Sequence, residues 1–437
     1  MGEASQIPRR VWGGTGLLAV GRVWGSACTL VSLFLLARQL PEEGFGRLTF
    51  YLALFLVLDS LVDLGTGQLT VQRTAASPES VPSVLATARR VRLAAGLLGC
   101  VLVGGGALLA GEPGAGWILL ATLYPLTHAL ELSTLVFKNQ IAWGRPVLVR
   151  AGASTASLGF VLLLWSLDVQ EPALYLLAIA AGSTLGNLGL HLVARPHLPG
   201  SSGVAPAPLW PFLAAAIPMG AAGLCQQLYF YVDNLFIRYW LGDVALGHYN
   251  VAVRVMSYSI MIAVYAPLAA LPWLTREHGE GRLGAAVAGL AQPLFAVAGV
   301  GAGLAWPLAG PLLGLFGPGF PAAEAALQWL LVASAVVYPG ASLLTSVVAA
   351  GRTRAVLWIA LSGLLVNLLG NLWAVPRLGI EGAALTTLGT ELTVVAAAVV
   401  VLVVRGAPPA GRHPLRWLWG PAAFALARWL SASLTGG

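Results

Sequence analysis

The chain has 437 residues, 58% hydrophobic and only 9% charged, with a mean hydropathy of +0.81. A soluble domain carries about a quarter charged residues, so a water-facing surface and disorder are both excluded. The net charge of +7 and the pI near 9.7 invite a nucleic-acid reading, which the placement of the charges removes.

A membrane-crossing helix needs about 20 apolar residues. In chain order, stretches of that order lie at 13–36, 48–70, 92–110, 116–137, 147–166, 173–194, 209–232, 248–272, 286–307, 325–349, 355–375 and 382–404. A shorter stretch at 415–432 is interrupted by Pro421 and Arg428. The expectation is an all-α polytopic membrane protein of twelve transmembrane helices, or thirteen if 415–432 crosses. The 53 glycines and 27 prolines are tolerable in such helices, where neighbouring helices and ordered water satisfy freed backbone groups. Trp12, Trp117, Trp143, Trp210, Trp240, Trp273, Trp373 and Trp417 fall near span ends, as an aromatic belt requires.

With the N-terminus in the cytoplasm, the inner loops hold Arg9, Arg10, Arg73, Arg89, Arg90, Arg92, Lys138, Arg145, Arg150, Arg195, Arg276, Arg282, Arg352, Arg354, Arg405, Arg412 and Arg416. The outer loops hold Arg38, Arg47, Arg238 and Arg377, and carry the acids Glu42, Glu43, Glu112, Asp168, Glu171, Asp243, Glu324 and Glu381. This positive-inside asymmetry accounts for the basic pI without a nucleic-acid partner.

Cys28, Cys100 and Cys225 all sit in apolar stretches and read as small apolar fillers, not as a disulfide framework or a metal site. No cleavable signal peptide is read at the start, because the first apolar stretch is too long. No loop could hold a soluble catalytic domain. Walker-type, HExxH and GxSxG sequences are missing, so neither catalysis nor ATP-driven transport by this chain alone is expected.

The two halves repeat weakly. Leu40-Pro-Glu-Glu-Gly-Phe-Gly46 follows the first span and Leu241-Gly-Asp-Val-Ala-Leu-Gly247 the seventh, an offset of 201 (241 less 40). Gly144-Arg145 and Gly351-Arg352 stand at an offset of 207 (351 less 144). An even repeat of six spans predicts two bundles, 1–194 and 209–404, related by a pseudo-two-fold axis along the membrane normal, with the substrate path between them. A cytoplasmic Pro- and Gly-rich linker, 195–208, would join them, and 405–437 would be a basic tail.

The stretch LLARQLPEEGFGRLTFYLAL (35–54), with Asp63-Leu64-Gly65 after it, resembles the start of the oligosaccharide flippases of the multidrug/oligosaccharidyl-lipid/polysaccharide exporter superfamily. IPMGAAGLCQQLYFYVDNLFIRYWLGDVALGHYNVAVRV (217–255) extends the resemblance, with Pro218, Asp233, Gly242, Gly247 and Tyr249 on the family pattern. LFGPGF (315–320), AAGRTRA (349–355), Asn367, Asn371 and PRLGIEGAALTT (376–387) continue it. The resemblance implies alternating-access transport of an undecaprenyl-pyrophosphate-linked oligosaccharide from the inner to the outer leaflet of a prokaryotic cytoplasmic membrane. That is the work of the polysaccharide-repeat or O-antigen branch, which serves polysaccharide and lipopolysaccharide assembly in the cell envelope. Polysaccharide polymerase and glycosyltransferases are the partners it implies. Lipid II flippases and ion-coupled multidrug cation antiporters share the architecture and remain the alternatives.

A charge at the bilayer centre costs about 2.5–3.5 kcal/mol on insertion scales, so each needs a partner or a wet cavity. Arg22, with Ser26 and Thr29 on its face, is a candidate pyrophosphate ligand, or else an ion pair to Asp59 or Asp63. Arg254, with Tyr258, Met261 and Tyr265 at i+4, i+7 and i+11, is a candidate sugar-phosphate surface, or ordinary core with a snorkelling Arg. Gln226 and Asp233 share a face of the seventh span with Tyr229 and Phe230, as cavity candidates or as structural groups. Asp59 and Asp63, one turn apart, and Glu391, one turn after Thr387, are candidates for H+ or Na+ coupling. For Glu131 the plainer account is a pair with His128 or Lys138, and for Arg428 it is snorkelling. No cofactor is expected beyond such an ion.

Overall fold

The computed structural model describes residues 6–140, 142–200, 204–404, 406–409 and 417–434, and the elements within them are all helical. Helix α1 (Gln6–Gln39) is the first span. The second is α2 (Glu42–Asp63) with α3 (Thr66–Ala76). The third is α4 (Val81–Gly99), a π-helical stretch Cys100–Gly105, and α5 (Gly106–Leu109). The fourth is cut into α6 (Ala115–Ala121), α7 (His128–Glu131) and α8 (Leu135–Asn139), joined by 3-10 turns. Helices α9 (Gly144–Ser166) and α10 (Pro172–Ala194) follow.

The second set begins with α11 (Leu209–Tyr231), α12 (Asp233–Ser259) and α13 (Met261–Gly279). It continues with α14 (Leu283–Ala305), α15 (Ala309–Gly314), α16 (Glu324–Ala349), α17 (Thr353–Val404) and α18 (Trp419–Leu434). Among the described residues, ten helical segments are long and apolar enough to cross a membrane. Two of these, Leu209–Ser259 and Thr353–Val404, run to 51 and 52 residues. At about 1.5 Å per residue each is more than twice a hydrocarbon core. Each folds back on itself, at Gly242 (φ 83°) and at Gly379 (φ 63°), conformations that favour glycine. Ten segments with two doubled make twelve spans, and α13 carries the eighth onward.

The sequence motif at 40–46 and 241–247 has a structural counterpart. Its second residue, Pro41 (φ −53°, ψ 146°) or Gly242 (φ 83°, ψ 178°), is where the backbone leaves helical geometry before the next span starts. The thirteenth segment is a 16-residue helix laid on α14, where Gly299 and Gly303 let the backbones of Gly420 and Phe424 come close. Its length, about 24 Å, is short of a full crossing. Arg428 lies 4.7 Å from the Trp306 ring, a cation–π contact that adds to the simple snorkel expected of it.

The chain divides into two compact units, 1–224 and 225–437. The division falls inside α11, not within 195–208. The physical reason is the core of the first unit, in which Phe212 and Ala216 of α11 join Leu69, Val84, Leu85, Leu135 and Phe137. In the second unit a corresponding core gathers Leu274, Val287, Leu343, Val347, Ile359, Val394 and Leu402. The three cysteines are buried and free.

Candidate functional site

The site in the first unit starts from a broken helix. Span two stops at Asp63, passes through Leu64 in the left-handed region (φ 33°) and Gly65 (φ 78°), and restarts as α3. The carboxylate of Asp63 accepts from the backbone N–H groups of Gly65 and Gly67, each at 3.2 Å. It thereby serves amide donors that the restarted helix leaves unpaired. Gly220 of α11 lies so close to this break that a Cβ there would strike the Leu64 and Gly65 backbone.

A cavity of about 700 Å³ opens beside the break. Its charged lining is Asp59, Asp63, Arg92, His128, Glu131 and Lys138, and Met219, Gly220 and Gly223 of α11 form an uncharged wall. Arg92 of α4 organises the set. Its guanidinium is ion-paired with Asp63, its Nε donates to the Thr66 hydroxyl at 2.9 Å, and its Nη1 donates to the His128 carbonyl at 2.9 Å. Glu131 lies 3.7 Å from Arg92 and takes a 2.7 Å bond from Arg150 of α9. His128 stands between two acids, with Nε2 3.2 Å from Asp59 (off the line of a full hydrogen bond) and Nδ1 3.4 Å from Glu131. The Tyr124 hydroxyl donates to Asp59.

Asp59 and Arg92 both stand near the middles of their spans, Glu42–Ala76 and Pro78–Leu109. Acids and bases this deep compensate one another, which is the condition for placing them there. The network ties spans two, three, four and five at one point.

Two residues in this site correct the sequence reading. Arg92 is not in an inner loop. It is 4% exposed and lies well inside its helix, because α4 begins at Val81 and not at the edge of the apolar stretch. Arg150 is likewise within α9 and pairs with Glu131. The expected His128–Glu131 pair is present, and Asp59 and Asp63 take His128 and Arg92 as partners. Arg22 is on the exposed part of α1 and is not in the cavity lining. The neighbouring face of α1 packs on α9, with Gly21 against Val147 and the Trp24 indole donating to Thr155 at 3.0 Å.

The second-unit candidates lie on α11, α12, α13 and α17. Asp233 is 2% exposed. It accepts from the Tyr249 hydroxyl at 2.6 Å and from the Asn234 backbone and side chain at 2.8 and 2.9 Å. Asn250 then donates to Asn234 at 2.7 Å. Arg254 and Tyr258 lie on α12, but the helix is interrupted at Ile260, so Met261 and Tyr265 belong to α13. The Arg254–Tyr265 stripe thus runs across a one-residue turn at Ile260, whose backbone stays in the right-handed helical region (φ −85°, ψ −2°). Gln226 is on α11, near the buried Tyr229. Glu391 is 4% exposed, close to Tyr229, with no cation within ion-pair distance among the described residues. On the preceding arm of α17, Asn371 donates to Asn367 at 3.0 Å, and both are fully buried.

An all-α chain of a dozen spans with a balanced ionic cavity buried among them belongs to the transporter and flippase class of the multidrug/oligosaccharidyl-lipid/polysaccharide exporter (MOP) superfamily. The chain is a member of the polysaccharide biosynthesis protein family, which matches it over residues 11–278, and the MatE family also matches over 218–373. Among solved structures it is similar to the lipid II flippase MurJ in an inward closed conformation, at 13% identity and a TM-score of 0.74, covering 96% of this chain and 98% of that one. It is similar to an inward-facing multidrug resistance MATE transporter of the MOP superfamily at 14% identity and 0.66, covering 93% and 96%. A MOP superfamily transporter from Pyrococcus furiosus aligns at 12% identity and 0.58, covering 97% and 95%. No curated protein sequence matches the chain.

Proposed function

We propose that this protein flips a polyprenyl-pyrophosphate-linked oligosaccharide from the inner to the outer leaflet, for polysaccharide assembly. The observation that carries the reading is Arg92, a guanidinium held at mid-span on the edge of a cavity large enough for a diphosphate and its first sugar. An Arg fork suits a phosphate better than it suits any cationic drug. The polysaccharide family match over most of the chain supports the same substrate class. The positive-inside charge pattern supports a cytoplasmic N-terminus in a prokaryotic inner membrane. Polymerase and glycosyltransferases would act before and after the flip.

The multidrug-antiporter reading fits less well, because the cavity acids are already engaged by Arg92, Arg150 and His128. A cation site would want acids without such partners. Lipid II, itself a lipid-linked sugar, is the nearer alternative. Export of two negative charges toward the positive side gains roughly 4.6 kcal/mol per 100 mV, so the membrane potential is a sufficient drive without an ion antiport. Asp59, Asp63 and Glu391 remain the coupling-ion proposals.

The test is leaflet sidedness of a polyprenyl-pyrophosphate oligosaccharide in proteoliposomes, comparing wild type with Arg92→Ala and Arg22→Ala. Acceleration by wild type and loss in Arg92→Ala is expected. Efflux of a lipophilic cation under a pH gradient, with no acceleration of any glycolipid, would overturn the reading in favour of the antiporter.

A further inference from the structure

Arg92 lines the cavity, yet its side chain is only 5% exposed, whereas Asp63 beside it is 43% exposed. The group facing the open volume is therefore the carboxylate, and the guanidinium lies behind it. Asp63 sits at the two-residue break of its span and occupies the position on Arg92 that an external anion would need. Glu131 is more enclosed, at 25%, and is held by Arg150, Arg92 and His128 together.

We propose that Asp63 is an internal plug on Arg92, and that a phosphate headgroup binds this cavity by displacing the Asp63 carboxylate, which takes up a proton as it leaves. This rests on the flippase reading for its ligand class. The argument is one of charge. Arg92, Lys138 and Arg150 are offset by Asp59, Asp63 and Glu131, with His128 as the variable member. A phosphate anion added to that set, with every acid still ionised, would leave uncompensated negative charge at mid-span, where it is costly. Protonating the displaced carboxylate restores the balance. The one bond formed is the O–H of the Asp63 carboxylic acid, and the one broken is the N–H or O–H of the buffer acid in bulk solution that gives up the proton.

The groups facing Asp63 leave it as the acceptor. Asp59, on its own helix, is engaged by the Tyr124 hydroxyl and His128. The lining residues from α3 are Gly67, Gln68 and Val71, and those from α11 are uncharged. Arg92 comes from α4, Glu131 and His128 from α7, and Lys138 from α8, and Arg150 of α9 reaches the set through Glu131.

The experiment is titration calorimetry of the detergent-purified full chain with farnesyl diphosphate at neutral pH, in two buffers of different ionisation enthalpy. Wild type should take up about one proton per ligand more than Asp63→Asn. Asp63→Asn should bind about tenfold tighter, since the anion no longer competes with a charge-assisted bond, and the gap should close as the pH falls. Asp63→Ser keeps a short acceptor for the Gly65 and Gly67 N–H groups and carries the same expectation should the Asn variant fold poorly. Equal proton uptake in wild type and variant, or weaker binding by the variants, overturns the plug while leaving the flippase reading in place. Absence of diphosphate binding by every protein overturns both.

Discussion

The hydroxyl of Tyr249 donates to Oδ2 of Asp233 at 2.6 Å, across the turn at Gly242 that reverses the chain between spans seven and eight. Asn234 and Asn250 make the neighbouring rung at 2.7 Å. The carboxylate is fully enclosed, and its donors all come from the two arms of this one hairpin. Tyr249→Phe removes one donor from a buried anion, which should cost about 1–3 kcal/mol. A lower melting temperature of the detergent-solubilised protein is expected. An unchanged melting curve would show that the rung does not secure the hairpin.

Gly220 and Gly65 meet backbone to backbone. Gly220→Ala pushes a methyl group into the Leu64–Gly65 peptide, which has no flexible end to yield. A loss of about 1–3 kcal/mol, typical of overpacking, is expected. Gly223→Ala is the control, because nothing lies within 4 Å of a Cβ there. Comparable melting temperatures for the two variants would contradict the close approach.

Arg92→Ala strands the Asp63 carboxylate, but at 43% exposure water still reaches it, so the loss should fall below the ~3–5 kcal/mol of a fully enclosed pair. Arg92→Ala should therefore fold with a lowered melting temperature, and adding Asp63→Asn should restore much of it. Glycolipid flipping should stay lost in the double variant, since the cation itself is gone. Recovery of flipping in the double variant would make Arg92 a structural group only.

Glu391, like Asp233, is a buried acid with no cation at ion-pair distance among the described residues. Glu391→Gln keeps the shape and removes the charge. The variant should be as stable as wild type or more so, since burying a lone charge is unfavourable. If Glu391 carries a coupling ion, dependence of transport on an imposed H+ or Na+ gradient should vanish in the variant. Gradient dependence that persists unchanged would remove Glu391 from consideration.

The spans were legible because a bilayer demands long apolar runs, and the helices overlay the stretches at 116–137, 147–166, 325–349 and 382–404 to within a few residues. Arg92 was not legible as a cavity residue. Hydropathy reads the first turns of α4, which carry Thr87, Arg89 and Arg90, as loop, although Pro78 and Pro82 at helix starts were a usable sign. The spacing of Asp59 and Asp63 was evident, but their partners come from 69 and 29 residues away, and only tertiary packing brings them there. The turn at Ile260 has neither Pro nor Gly to announce it.

In the second unit, spans seven and eight, and likewise eleven and twelve, are joined through a single non-helical glycine each, Gly242 and Gly379. By span order both hairpin tips lie on one face of the membrane. A protease has almost no extended chain to cleave there, and an antibody has no loop to grasp. Reporter or epitope insertions used to map topology would break the hairpins instead of decorating them. Probes placed at Pro199 and Gly200, which are exposed and follow the span that ends at His197, would report sidedness without that damage.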